Sequence, residues 1–180
     1  KNENTKNILV DFSYSFDDYL SFVNVHKYLS NINISIPKIF ETNDNEKLIL
    51  MEDFGNDRYD KIINNYDFKQ LLVNAIDSLI AIQNFDKPLK TDGFKQYNYS
   101  IFKEEIIEFV DFYLPSLKTT SDQMEEFLKT WKSEFNKLNF NWNVFVHKDF
   151  ELSNLMYLPH KVNHLKCGIL DFQNAFIGFS

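Results

Sequence analysis

The stretch whose reading decides the fold is His147-Lys148-Asp149-Phe150-Glu151-Leu152-Ser153-Asn154, followed downstream by Ile169-Leu170-Asp171-Phe172-Gln173-Asn174. Residues 143–146 ahead of it are apolar and β-branched, which predicts a strand. The polar octet is a loop, residues 155–158 read as a second strand, and residues 159–161 form a turn. A third strand over residues 166–170 ends on Asp171. Antiparallel pairing of the last two strands brings Asn154 beside Asp171 and leaves Asp149 at the mouth of the loop.

Three side chains so placed suit phosphoryl transfer, in which the protein mainly positions the reactants and compensates charge. Asp149 is the candidate catalytic residue, a carboxylate able to take the proton of an attacking hydroxyl. Asn154 and Asp171 are candidate metal ligands, one amide oxygen and one carboxylate, a donor set that suits Mg²⁺. His147 reads as a structural brace of the catalytic loop rather than a proton carrier.

Outward from this loop the chain divides in two. Residues 8–10 (Ile-Leu-Val) predict a first strand and residues 17–30 a helix with Tyr19, Phe22, Val25 and Leu29 on one face. His26 shares that apolar face and reads as a core histidine. A hairpin follows, with arms at 37–41 and 47–51. Asp67 with Gln70, and Thr120 with Gln123, are capping patterns ahead of two amphipathic runs. Between them a helix is predicted over residues 100–114, terminated by Pro115. The composition shifts near Gly55-Asn56-Asp57, so residues 1–55 are expected to form a small α+β lobe with a hinge, and residues 56–180 a mainly helical lobe.

Composition excludes several classes. The chain has 180 residues and a formal charge of −7, with Arg58 its only arginine, so neither nucleic acid nor an anionic membrane is an expected partner. Its four glycines are dispersed, which excludes a P-loop or Rossmann phosphate cradle within these residues. The lone Cys167 excludes an intramolecular disulfide and points to a reducing compartment. No apolar stretch reaches the roughly 20 residues of a membrane span. A cytoplasmic protein is the expectation. His160 and His164 flank a turn, but a zinc site there would have only Cys167 as a further partner.

The pattern H-x-D-x-x-x-x-N with a strand-terminal Asp-Phe resembles the protein-kinase catalytic loop and metal motif. In the form H-K-D-F-E-L-S-N-L-M with I-L-D-F-Q-N-A it is similar to the aminoglycoside phosphotransferase superfamily. Its nearest branch is that of the bacterial cell-wall-recycling kinases, which phosphorylate N-acetylmuramate and N-acetylglucosamine at the anomeric hydroxyl. The resemblance runs from about residue 8 to the end. It implies an α+β, protein-kinase-like two-lobed fold, here with a truncated N-lobe (a small antiparallel sheet plus one helix). The mainly helical C-lobe would carry the catalytic-loop β-hairpin.

The same resemblance implies ATP and Mg²⁺ as cofactors and a small hydroxylated molecule, most specifically an amino sugar, as partner. Aminoglycoside, choline and homoserine kinases share the fold and stand as alternatives, as does a non-catalytic pseudokinase interaction module. Met51, Glu52 and Asp53, within L-I-L-M-E-D-F-G, resemble the strand and hinge that meet adenine through the backbone; the two acids also read as plain turn residues. Glu105, Asp111 and Tyr113 lie in a segment like the substrate-lobe helix "F-x-D-W-Y-L", and equally suit a solvated helix face.

The chain departs from the family's pattern in places. No lysine or arginine falls on the first strand where a phosphate clamp would sit, and Lys6 lies too early. Glu151 stands where histidine is common, Asn174 where an acid follows Asp-Phe-Gln, and Phe112 where tryptophan is usual. The chain reads as the middle of a larger protein, with a phosphate-covering loop expected before Lys1 and helices after Ser180.

Overall fold

The computed structural model describes residues 6–85, 94–138 and 144–178. It opens on strand β1 (Asn7–Asp11), then helix α1 (Phe16–Leu29) and the hairpin β2 (Ile39–Asn43) and β3 (Leu48–Glu52). The three strands form an antiparallel sheet in the order β1-β3-β2, with Ile8 opposite Met51 and Val10 opposite Ile49. α1 starts where the Ser15 hydroxyl accepts the Asp18 amide, with Asp17 and Asp18 favourably placed in the first turn. It buries Tyr19, Phe22, Val25 and Leu29, the expected face.

After Glu52 the chain passes through an extended segment into the short helix α2 (Tyr59–Ile62) and the long helix α3 (Phe68–Gln83). Asp67 caps α3 by accepting the Gln70 amide at 3.3 Å. The Gln70 side chain does not complete the box: its Nε2 donates to Asn74 Oδ1 instead. From α3, Ser78 donates to the His164 carbonyl at 3.1 Å and Gln83 to the Phe145 carbonyl at 2.9 Å. These two bonds tie the helix to the 3-10 turn at Asn163–Lys166 and to the strand that precedes the polar octet.

Strand β4 (Lys95–Gln96) precedes α4 (Tyr99–Glu108), and the helix expected over residues 100–114 proves to be three pieces. α4 widens into a π turn at Phe109–Tyr113 and tightens into a 3-10 turn at Leu114–Leu117. Pro115 therefore does not stop the chain. It sits in the first turn of the 3-10 segment, where a missing N–H costs nothing, and Lys118 at φ +57° ends the run. Helix α5 (Ser121–Lys137) carries the full reciprocal box between Thr120 and Gln123.

The last part returns to strands, β5 (Val144–Val146), β6 (Leu155–Tyr157), β7 (Cys167–Ile169) and β8 (Phe176–Gly178). β6 and β7 pair antiparallel, with Leu155 opposite Ile169, as the pattern around the polar octet predicts. Asn143, expected to begin β5, lies outside the described residues. The sheet β4-β8-β5, with β4 parallel to β8, has no counterpart in the local sequence pattern. One apolar core gathers residues from Phe12 to Ala175. Phe172, fully buried, stacks on Phe22 with ring centroids 4.8 Å apart; burying a side chain of that size is worth about 2–3 kcal/mol. The loop after α1 is pinned to β7, since the Ile169 amide donates to the Ser35 carbonyl at 2.8 Å.

Candidate active site

A cleft of about 440 Å³ opens between the first sheet and the β6–β7 hairpin, within the range usual for small-molecule sites. Ile8 and Val10 of β1 line one wall. The segment Met51-Glu52-Asp53-Phe54-Gly55 forms the back, and Asn154, Asp171 and Phe172 lie opposite. The cleft thus brings together the three candidate hinge residues and both candidate metal ligands.

Each wall has a local cause. Gly55 takes φ +87°, and its amide is accepted by Asp53 Oδ1 at 2.7 Å, so Asp53 shapes the turn that ends this segment. Glu52 is held to the start of β2: its amide donates to the Lys38 carbonyl and its Oε2 accepts the Lys38 amide. One edge of the Phe54 ring lies against Gly168, where a Cβ would come within 2.7 Å of it. Only glycine lets Phe54 pack so close to β7.

The polar octet is a turn closed by its own residues. The Glu151 amide donates to the Asp149 carbonyl, and the Asn154 amide to the Glu151 carbonyl at 2.9 Å. Asn154 Nδ2 also donates to the Asp149 carbonyl, at 3.0 Å. With its nitrogen so used, Asn154 keeps Oδ1 as the acceptor. The Asn154 carbonyl accepts the Leu170 amide at 2.9 Å, which carries the β6–β7 ladder up to the neighbour of Asp171. Asp171 adopts φ +60° and Lys148 φ +74°, so the residues beside and within the site sit in the left-handed region. For side-chain-bearing residues that conformation costs on the order of 1 kcal/mol or more and clusters at functional positions.

His147 is buried, and its Nε2–H donates to the Leu170 carbonyl at 3.1 Å. Burial is the largest influence on the ring and depresses its pKa, against the pull of that bond and of the nearby carboxylates. A neutral ring bonded to backbone braces the loop against the Asp171 segment.

Asp149 does not line the cleft; it stands beside it, half-buried. Its Oδ2 accepts Asn174 Nδ2 at 3.1 Å, while Gln173 Nε2 donates to Asp171 Oδ1 at 2.7 Å. The two amides after Asp-Phe thus serve the two carboxylates in turn. Reading along the chain identifies Asn174 only as a departure from the family pattern; its partner is visible only across 25 residues of sequence.

Of the candidate substrate residues, only Glu105 meets the loop. Its Oε1 lies 3.2 Å from the Lys148 ammonium, and its Oε2 accepts the Tyr97 hydroxyl at 2.5 Å. Burial first, and then the Glu105 carboxylate, push the Tyr97 hydroxyl pKa up. Asp111 and Tyr113 are exposed on the π turn, with Tyr113 stacked on Phe109, and neither lines the cleft.

Among the described residues no three His, Cys, Asp or Glu side chains cluster as a metal cage. The donor set fits a Mg²⁺ completed by phosphates and water: one free amide oxygen, and one carboxylate that no described salt bridge neutralises. No helix among the described residues is long and apolar enough to cross a membrane.

No protein-family model matches the chain. It is 27% identical over 179 residues to an N-acetylmuramate/N-acetylglucosamine kinase of Caulobacter vibrioides, an alignment covering 87% of this chain and 46% of that protein. It is 27% identical over 176 residues to the enzyme of the same description from Pseudomonas aeruginosa, covering 95% and 49%. The chain spans about half the length of the curated relatives it matches.

Among solved structures, it superposes on choline kinase LicA from Streptococcus pneumoniae with a TM-score of 0.65 at 11% identity, covering 99% of this chain and 59% of the other. On the streptomycin–ATP ternary complex of the aminoglycoside phosphotransferase APH(2")-IIa the TM-score is 0.61 at 15% identity, covering 99% and 66%. The fold is the α+β protein-kinase-like fold of these phosphotransferases.

Proposed function

We propose that this chain, built on the protein-kinase-like fold, carries the nucleotide cleft and catalytic loop of a Mg-ATP-dependent kinase whose acceptor is a hydroxyl of a small molecule. The observation that carries the reading is one cleft with a hinge-like segment, Met51 to Gly55, at its back and Asn154 and Asp171 opposite, with Asp149 held beside it. The hinge backbone holds the base, and Asn154 Oδ1 and the Asp171 carboxylate hold Mg²⁺. The bound metal supplies charge compensation to the phosphates.

Asp149 receives the acceptor hydroxyl's proton as its oxygen bonds to the γ-phosphorus and the bond to the β-phosphate oxygen breaks, releasing ADP. Asn174 and the bonded loop keep that carboxylate in place. His147 takes no proton in this scheme and serves as the loop's brace.

The acceptor we propose is an amino sugar, N-acetylmuramate or N-acetylglucosamine, at the anomeric hydroxyl. Sequence likeness to kinases of that description supports it, over nearly all of this chain. Glu105, Asp111 and Tyr113 are proposed as acceptor-side residues, Glu105 acting through Lys148. The test is Mg-ATP turnover by the intact protein with both sugars, beside an aminoglycoside and choline. Sugar-dependent ADP release, lowered about 10²–10⁴-fold in Asp149→Ala, is the expected result. Turnover with choline or an aminoglycoside alone replaces the acceptor. Unchanged turnover in Asp149→Ala removes the assigned mechanism, and absence of Mg-ATP binding leaves the non-catalytic module.

A further inference from the structure

Asp149 is held from two directions, and one residue is tied to the elements that carry both supports. The residue before it, Lys148, takes the left-handed conformation and pairs its ammonium with Glu105 Oε1 at 3.2 Å. From the other side, Asn174 donates to the Asp149 carboxylate. Tyr97, which joins β4 to α4, connects the two. Its hydroxyl donates to the second oxygen of Glu105 at 2.5 Å. Its ring stacks on Phe176, two residues beyond Asn174, with centroids 4.8 Å apart, and its amide donates to the Ile177 carbonyl at 3.1 Å.

The sheet β4-β8-β5 fixes this arrangement. β8 is its middle strand, so Phe176 stands opposite Lys95 on one side and opposite Val146, the last residue before the polar octet, on the other. Backbone pairing therefore sets Tyr97 relative to the start of the octet. Asn98, the next residue, caps α4 by accepting the Ser100 and Ile101 amides, so the helix that carries Glu105 starts from the same sheet. A lone, part-exposed Lys–Glu pair is worth little, because two long side chains must be ordered for a screened attraction. Here the carboxylate is already ordered: the Tyr97 hydroxyl takes one oxygen and leaves the other to Lys148. Burial, and then the carboxylate, push the hydroxyl pKa up, which keeps it a donor.

We propose that Tyr97 is a positioning residue: through Glu105 and Lys148 it fixes the main chain of Asp149 relative to α4. The inference rests on the reading of Asp149 as the base. It makes the Tyr97 hydroxyl contribute to turnover without touching a reactant, since Tyr97, Glu105 and Lys148 all stand outside the cleft lining.

The test is steady-state kinetics of the intact protein with Mg-ATP and N-acetylmuramate or N-acetylglucosamine. It compares Tyr97→Phe, which keeps the ring stack, with Lys148→Met, the double variant and Asp149→Ala. Tyr97→Phe and Lys148→Met should each lower kcat about 3–10-fold, the effect of one lost hydrogen bond, with both KM values near wild type. The double variant should be no slower than Lys148→Met, because without the ammonium the hydroxyl has nothing left to position. Losses that multiply in the double variant, an unchanged kcat in Tyr97→Phe, or a raised acceptor KM at constant kcat overturn the relay and leave Asp149 as the base. Glu105→Gln breaks the same chain at its middle and decides the matter if Tyr97→Phe does not fold; a loss that multiplies with that of Lys148→Met overturns the relay. Absence of turnover with either sugar, or unchanged turnover in Asp149→Ala, overturns the reading beneath the relay and the relay with it.

Discussion

Asn174 Nδ2 lies 3.1 Å from Asp149 Oδ2 and donates to it, although the two residues belong to different loops. The bond holds one oxygen of the carboxylate and leaves the other for an incoming proton. Asn174→Ala is therefore expected to lower kcat about 3–10-fold, the effect of one hydrogen bond to a part-exposed carboxylate worth about 1 kcal/mol. The KM for ATP should stay near the wild-type value, because Asn174 does not line the cleft. Steady-state kinetics over an ATP series separates the two parameters; a rise in KM with kcat unchanged contradicts the positioning role.

Gly168 couples the Met51–Gly55 segment to the β6–β7 hairpin through Phe54. A Cβ there meets ring carbons of Phe54 at 2.7 Å and Leu158 at 3.2 Å. Gly168→Ala should destabilise the fold by about 1–3 kcal/mol, the usual cost of overpacking. It should also weaken Mg-ATP binding, since Phe54 must shift within the cleft wall. Adding Phe54→Leu should recover part of the lost stability in urea unfolding; no recovery would mean that the strain is relieved elsewhere.

Protonation should destabilise the chain as the pH falls below neutrality. His26 donates from Nε2 to the Pro37 carbonyl at 2.9 Å and packs beside Phe22 and Phe172. Burial, only partly offset by that bond, lowers its pKa, and burial does the same at His147. Below a pH of about 6.5, the usual histidine value, the unfolded chain takes up protons that the folded chain refuses. The stability due to these rings is therefore complete above that pH and is lost as the pH falls towards the depressed folded values. Tm measured at pH 7.5, 6.5 and 5.5 should fall, and less steeply in His26→Gln; an identical slope in the variant would remove His26 from the account.

The Thr120 cap is the most local of these predictions. Thr120 Oγ1 accepts the Gln123 amide, and Gln123 Oε1 accepts the Thr120 amide at 2.9 Å. Thr120→Ala should cost about 1 kcal/mol and lower Tm without changing nucleotide affinity, because α5 lies outside the cleft lining. Chemical denaturation and a binding titration on the same sample check both halves.

The Thr120 box illustrates what is legible along the chain. Cap, first turn and apolar face lie within a few residues of one another, so α5 and α1 follow from composition and spacing. The β6–β7 hairpin is legible for the same reason: the polar octet and its flanking apolar runs place Asn154 beside Asp171 before any long-range contact is known. Pro115 marks the limit of that reasoning. A proline that ends one helix can begin the next, and only the packing of α4 and its π turn decides which.

The sequence by itself determined the strands flanking the polar octet, the helices α1, α3 and α5 and the strand β3, because each depends on neighbours in the chain and on periods of two or 3.6 residues. Tertiary structure alone decided that Asn174 serves Asp149, that Glu105 is held by Lys148 and Tyr97, and that Arg58 faces the cleft. It also decided the parallel pairing of β4 with β8. These are contacts between side chains or strands far apart in sequence. Their partners are selected by how the core around Phe172 closes, a condition that no local spacing encodes.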